Sequence, residues 1–210
     1  MQISIQLQQI GKKFGREWIF RNLSFEIQPG DKTVILGGNG SGKSTLLQAI
    51  SGFVSLNEGQ VNFHDENAST IEHDKVKDLL SLASPYLQLV EDLTAHELVM
   101  HVSQFKPFIN KMDTTEVLAL TELGHAGNKY IKQFSSGMKQ RLRLGLAILA
   151  DTPVLLLDEP VSNLDKNAIA WYQSMINTYA KARTVIVCSN AIDDEFYFCN
   201  KKINVSDYKK

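Results

Sequence analysis

The segment Gly37-Gly38-Asn39-Gly40-Ser41-Gly42-Lys43-Ser44 holds the residue types that bind a phosphate chain: a glycine, four residues, then glycine, lysine and serine. Glycines let the backbone curl so that successive N–H groups converge on phosphate oxygens, in conformations that a Cβ would hinder. A helix opening near Ser44 would aim the positive end of its dipole at the same anion. Lys43 is then placed to reach the β and γ phosphates, and the Ser44 hydroxyl to sit on Mg²⁺. We expect this loop to hold a nucleoside triphosphate, ATP with Mg²⁺, through Gly38, Asn39, Gly40, Ser41, Gly42, Lys43, Ser44 and Thr45.

A second group able to do chemistry ends the apolar run Val154-Leu155-Leu156-Leu157, which runs straight into Asp158 and Glu159. A buried strand has little reason to finish on two acids unless they face something positive or reactive at the sheet edge. Ligands in such sheets bind beyond the C-terminal ends of the strands. Asp158 is expected to help hold Mg²⁺ and Glu159 to orient or polarise an attacking water.

These groups need a scaffold, and the chain alternates strand and helix patterns as a mostly parallel sheet covered on both faces does. The N-terminal residues 1–7 alternate apolar and polar like a strand, and 33–36 reads as a short strand feeding the loop. A helix over 44–50 stops at Gly52, and 59–63 and 76–82 read as further strands. Thr94 and Asp113 each stand three residues before a glutamate, Glu97 and Glu116, the spacing of a capping box. Residues 91–145 therefore read as helical, broken at Pro107 and around 124–127. Beyond the 154–157 strand, Asp165 is expected to cap a helix reaching about Ala182, and 184–188 reads as the next strand.

Composition narrows the classes. Twenty-two basic residues against 23 acidic ones argue against nucleic-acid binding through bulk charge. The two cysteines, Cys188 and Cys199, have neither metal-ligand nor CxxC spacing and read as thiols of a reducing compartment. The first residues lack a signal peptide's basic start and apolar stretch, and no apolar run approaches the roughly 18 residues of a membrane span. If the protein works at a membrane, another chain is expected to cross it.

Many phosphate-loop proteins share the loop and the acidic strand end, so the segment between them decides. Phe134-Ser135-Ser136-Gly137-Met138-Lys139-Gln140-Arg141-Leu142 opens a helix with serine at its cap. It resembles the signature motif of the ATP-binding cassette (ABC) ATPases, usually Leu-Ser-Gly-Gly-Gln followed by basic and Gln-Arg residues. Ser162-Asn163-Leu164-Asp165 is similar to that family's D-loop. The resemblance spans essentially the whole chain. It implies an α/β P-loop NTPase core with a mostly parallel sheet and helices on both faces, an antiparallel β part at the N-terminus, and an inserted helical subdomain. The expected division is a single domain, 1–210, with the subdomain 91–145 set between 1–90 and 146–210.

In that family two cassettes pair head to tail, each signature helix covering the ATP on the other's loop. The resemblance thus gives Ser135 and Gly137 to the partner's nucleotide. Phe14 sits where the family usually carries an aromatic stacked on adenine; a core role for Phe14, or Trp18 as the stacking ring, are the alternatives.

Three departures stand out. The signature carries Phe134, Ser136 and Met138 where Leu, Gly and Gln are usual, and Met138 forgoes an amide hydrogen bond. The Q-loop glutamine, which contacts Mg²⁺ and the attacking water, falls near Ser84 or Pro85, with Gln88 too close to Thr94 to take its place. After the 184–188 strand, Asn190 replaces the usual switch histidine, and none of His64, His73, His96, His101 or His125 stands near that position. Asparagine can donate a hydrogen bond to a phosphate oxygen but carries no proton or positive charge. ATP binding is expected to survive, with turnover slow or dependent on a partner cassette.

The leading expectation is the ATPase subunit of an ABC transporter, with Glu159 and Asn190 catalytic. It would dimerise, as a homodimer or heterodimer, around two ATP and drive a separate transmembrane permease from the cytoplasmic face. Two other classes are a soluble ABC protein acting on ribosomes or DNA, and an ATP-binding regulatory subunit that hardly hydrolyses. The near-neutral charge counts against the nucleic-acid reading and the retained Glu159 against the second.

Overall fold

The computed structural model describes residues 2–209. Alternate residues of the central strands face opposite ways: Leu155, Leu157, Val185 and Val187 join one buried cluster, Val154, Leu156, Ile186 and Cys188 the other. Such strands can be apolar throughout because both faces are covered. The sheet they build has five parallel strands in the order β5 (Leu80–Ala83), β6 (Val154–Asp158), β7 (Thr184–Ser189), β3 (Lys32–Leu36) and β8 (Lys201–Asn204). A second sheet is antiparallel, with β1 (Ser4–Phe14) between β2 (Glu17–Ile27) and β4 (Glu58–His64). It shares a core with helix α1 (Lys43–Ile50). On the other face lie α3 (Ala95–Phe105), α4 (Thr114–Leu120), α5 (Ser136–Leu149) and α6 (Lys166–Tyr179). The α/β architecture expected from the sequence, antiparallel N-terminal part included, is the one observed.

The helix caps formed where their residues predicted. Thr94 accepts from the Glu97 amide at 3.2 Å while its own amide donates to the Glu97 carboxylate at 2.8 Å, and Asp113 and Glu116 repeat the exchange. Asp165 accepts from the Ala168 amide at 2.8 Å. Two expectations need correction. Residues 76–82 are not one strand: helix α2 (His73–Leu79) runs into β5 at Leu80. Asp74, Lys75, Lys77 and Asp78 do not alternate with apolar residues, whereas Val76, Leu79 and Leu80 recur at helical spacing. Helix α6 ends at Tyr179 rather than Ala182, because the Lys32 ammonium takes the Ala180 carbonyl and Arg183 turns back to it.

The register brings four strand ends into line. Leu36 pairs Ser189, Asp158 pairs Cys188, and Ala83 pairs Leu157. The glycine loop, Ser84, Glu159 and Asn190, each lying just past one of these strand ends, therefore emerge at one edge of the sheet.

Candidate nucleotide site

The glycine loop closes on itself before α1 begins. A Cβ on Gly37 would come within 2.3 Å of the Ser41 hydroxyl, and one on Gly42 within 2.2 Å of Cγ2 of Ile19, which β2 presses against the start of the helix. Gly42 also holds a left-handed φ of 104°, so any side chain there is strained as well as crowded. Because Gly42 is the cap residue, no side chain occupies the first amides of α1. The Ser41 hydroxyl is buried without a partner. Free helix amides and an orphaned hydroxyl around a lysine are what an anion requires. Gly38, Asn39 and Gly40 form the exposed rim of the loop, and Thr45 lies half-buried on α1.

Lys43 is only 4% exposed, and its ammonium donates to the carbonyls of Gly37 (2.9 Å) and Gly38 (3.1 Å) and to Oδ1 of Asn190 (2.6 Å). Nδ2 of Asn190 donates to Oε1 of Glu159 at 2.7 Å. The amide can face only this way, since lysine has donors alone and an ionised carboxylate acceptors alone. Asn190 thus bridges the loop lysine to Glu159.

Beside this bridge, Asp158 is 2% exposed and accepts from two hydroxyls: Ser44 at Oδ1 and Ser84 at Oδ2, each at 3.1 Å. Burial lifts its carboxyl above the ordinary range, the hydroxyls of Ser44 and Ser84 pull it back, and Glu159 and Lys43 act in opposite senses. Ser44, Ser84 and Asp158 make a hard oxygen set of the kind Mg²⁺ accepts together with phosphate oxygens. Glu159 itself sits at a left-handed φ of 45°, held by its amide on the Cys188 carbonyl at 3.0 Å. A non-glycine residue in that region is strained, and strain of this kind concentrates where geometry serves function.

Lys43, Ser44, Asp158, Glu159 and Asn190 are therefore brought together. Phe14 is not in the core: it ends β1, 55% exposed, with the Lys12 ammonium over its ring at 4.8 Å. The Trp18 ring carries two cations, Arg21 at 4.5 Å and Lys13 at 5.1 Å. Ser135 caps α5, accepting from the Met138 amide at 3.2 Å, and Gly137 lies against the Asn163 carbonyl; neither hydrogen-bonds the glycine loop of its own chain. The Met138 side chain turns into the core.

Three participants escaped the sequence reading. Gln140, 1% exposed, donates from Nε2 to the Pro160 carbonyl at 3.0 Å, and Arg143 donates from Nε to the Leu87 carbonyl at 2.8 Å. Glu195, 1% exposed, lies five residues past Asn190 with Oε2 unpartnered. Burial lifts its carboxyl to about 7, the Ser189 hydroxyl and Val161 amide resist, and Glu159 and Asp158 add to the lift. Its place in the run Asp193-Asp194-Glu195 gave no hint that one of three acids is buried.

Comparison with known proteins places the fold and the family. The chain is 31% identical over 180 residues to the sulfate/thiosulfate import ATP-binding protein of Synechocystis, covering 82% of this chain and 50% of that one. It is 26% identical over 195 residues to the lantibiotic transport ATP-binding protein of Streptococcus pyogenes, covering 90% and 81%. The chain thus spans about half the length of the sulfate/thiosulfate protein it matches. Among solved structures, an ATP-binding subunit of an ABC transporter shares the fold with a TM-score of 0.79 at 20% identity, over 95% of this chain and 85% of that one. Residues 20–162 match the family described as ABC transporter, and the chain belongs to that family as an ATP-binding cassette.

Proposed function

We propose that this chain is the ATP-hydrolysing subunit of an ABC transporter. The observation that carries the reading is the convergence of Lys43, Ser44, Asp158, Glu159 and Asn190 at one sheet edge, with helix amides free beside them. The loop and Lys43 bind the triphosphate, and Ser44 and Asp158, which already meet through a hydrogen bond, are the residues that would hold Mg²⁺. When bound, that ion would neutralise negative charge on the phosphates. Glu159 accepts hydrogen bonds from the water that attacks the γ-phosphorus, and ADP leaves on the far side. Asn190 keeps the Glu159 carboxylate oriented through one hydrogen of its Nδ2, and the second hydrogen is the one it can offer to a phosphate oxygen.

Two features support partners. Ser135 and Gly137 open a helix that does not serve the loop of its own chain, which fits a second cassette whose ATP they cover. We take the helices between 91 and 145 as the subdomain that presents them. An apolar groove of about 1080 Å³ runs between α2, α3, α5 and the loop after β5, walled by Phe53, Ile71, Leu87, Val90, Leu98 and Val102. Among the described residues no helix is long and apolar enough to cross a membrane, so the groove is read as the seat of a cytoplasmic helix of a separate permease. On this reading the chain works at the cytoplasmic face of the membrane.

The test pairs ATP binding with partner capture. Lys43→Ala should abolish Mg²⁺-dependent ATP binding by calorimetry, and the wild type should co-purify with one multi-span protein. Unchanged affinity in Lys43→Ala contradicts the site; consistent recovery of ribosomes or DNA instead contradicts transport.

A further inference from the structure

The short helix α7 (Asp193–Phe196) turns one of its three acids inward. Asp193 and Asp194 are exposed, whereas Glu195 is 1% exposed and its backbone is held at both ends. Its amide donates to the Ile192 carbonyl at 3.0 Å, and its carbonyl accepts from the Tyr172 hydroxyl at 2.9 Å. Among the described residues no basic side chain pairs with its carboxyl. The charges that act on it, Glu159 and Asp158, share its sign. A buried carboxyl without a cation costs free energy that an apolar side chain of similar size would not. Packing alone therefore gives no reason for a glutamate here.

The groups around the carboxyl supply one. It faces two donors, the Ser189 hydroxyl and the Val161 amide, with Oε2 otherwise unpartnered. The Ser189 oxygen already accepts from the Ile192 amide at 3.1 Å, so its own hydrogen is free to point at Glu195. Ser189 immediately precedes Asn190, and Val161 stands two residues past Glu159. The same two turns meet again at the site itself. There the Glu159 amide donates to the Cys188 carbonyl at 3.0 Å, and Nδ2 of Asn190 donates to Oε1 of Glu159 at 2.7 Å. Glu159 keeps its left-handed φ of 45° between these contacts, and a residue held in that region needs surroundings that over-determine it.

We propose that Glu195 is a positioning residue for hydrolysis: its buried carboxyl ties the turn after β6 to the turn after β7 and so fixes Glu159 against Asn190. Glu195 acts through those two residues and not on the nucleotide. The tether needs acceptor oxygens rather than a charge. The proposal rests on the reading of Glu159 as the residue that orients the attacking water.

Two substitutions separate the oxygens from the bulk. Glu195→Met keeps the length of the side chain and removes both oxygens. Glu195→Gln keeps one oxygen for the Val161 amide, and its NH₂ can donate to the Ser189 hydroxyl with the direction of that bond reversed. Steady-state kcat and KM for Mg²⁺·ATP are measured on the folded full chain, beside hydrogen–deuterium exchange of the Val161 amide, followed by NMR without nucleotide. Glu195→Met should lower kcat roughly tenfold, leave KM within about twofold of wild type, and speed exchange at Val161 at least about fivefold. Glu195→Gln should return kcat to within about twofold of wild type and restore the slow exchange. Should Glu195→Met fail to fold, Ser189→Ala cuts only the arm toward Asn190. That variant should lower kcat about threefold at unchanged KM, with exchange at Val161 as in the wild type. Wild-type kcat in the folded Glu195→Met or Ser189→Ala protein, or a Glu195→Gln no better than Glu195→Met, overturns the proposal alone. A wild type that releases no phosphate from ATP overturns the hydrolytic reading of Glu159 and the proposal with it.

Discussion

On the proposed function Asn190 is the residue on which the chemistry turns, because it touches both Lys43, assigned to the phosphates, and Glu159, assigned to the water. Asparagine has no proton to exchange at this bridge, so it can orient the two groups but not relay a proton between them. Removing it in Asn190→Ala should lower kcat by about 10²-fold with little change in ATP affinity, since donors aimed at reacting groups act mainly in the transition state. Equal losses in binding and turnover would place Asn190 in substrate binding alone. Glu195 is the opposite case, a buried carboxyl lifted from 4.5 to about 7. A carboxyl raised on folding contributes stability below its unfolded value, and that contribution is lost as pH climbs through about 7. Glu195→Gln keeps the shape without the charge. Its unfolding free energy should exceed that of the wild type at pH of about 8 by an amount on the order of 2 kcal/mol, seen as a higher melting temperature, and the gap should close toward pH of about 5. A constant difference across that range would show that Glu195 does not titrate on folding.

At the scale of elements, local chemistry was legible and long-range chemistry was not. Capping needs only residues three apart, so Thr94, Asp113 and Asp165 could be read directly from the chain. Asp165→Ala should therefore cost about 1 kcal/mol of stability, seen as a lower urea midpoint with an unchanged slope. No loss would mean that α6 is held by packing alone. Strands β2 and β8 were not read, since each is defined by the strand it pairs with, β2 by β1 and β8 by β3, whereas α2 was misread as strand although its apolar residues recur at helical spacing. The candidate site divides the same way. The glycine loop and Asp158-Glu159 are contiguous, so spacing alone exposed them. Ser84 reaches Asp158 only because β5 lies beside β6, and Gln140 reaches Pro160 only because α5 packs next to the end of β6. Sheet order and helix packing of that kind are decided by the whole core.

On the proposed function the whole molecule is one half of a paired assembly. One edge of the parallel sheet collects the proposed nucleotide chemistry, the helix capped by Ser135 makes no hydrogen bond to the glycine loop, and an apolar groove opens beside the loop after β5. The cassette fold accounts for all three, but hydrolysis at Glu159 is the claim on which the functional reading depends. The most direct test is steady-state phosphate release by the wild type beside Glu159→Gln, with bound Mg²⁺·ATP quantified in the same samples. The variant should bind ATP at least as tightly as the wild type and turn over at least about 10²-fold more slowly. Equal turnover in the two proteins would contradict the assignment of Glu159 and with it the account of this site as an ATPase.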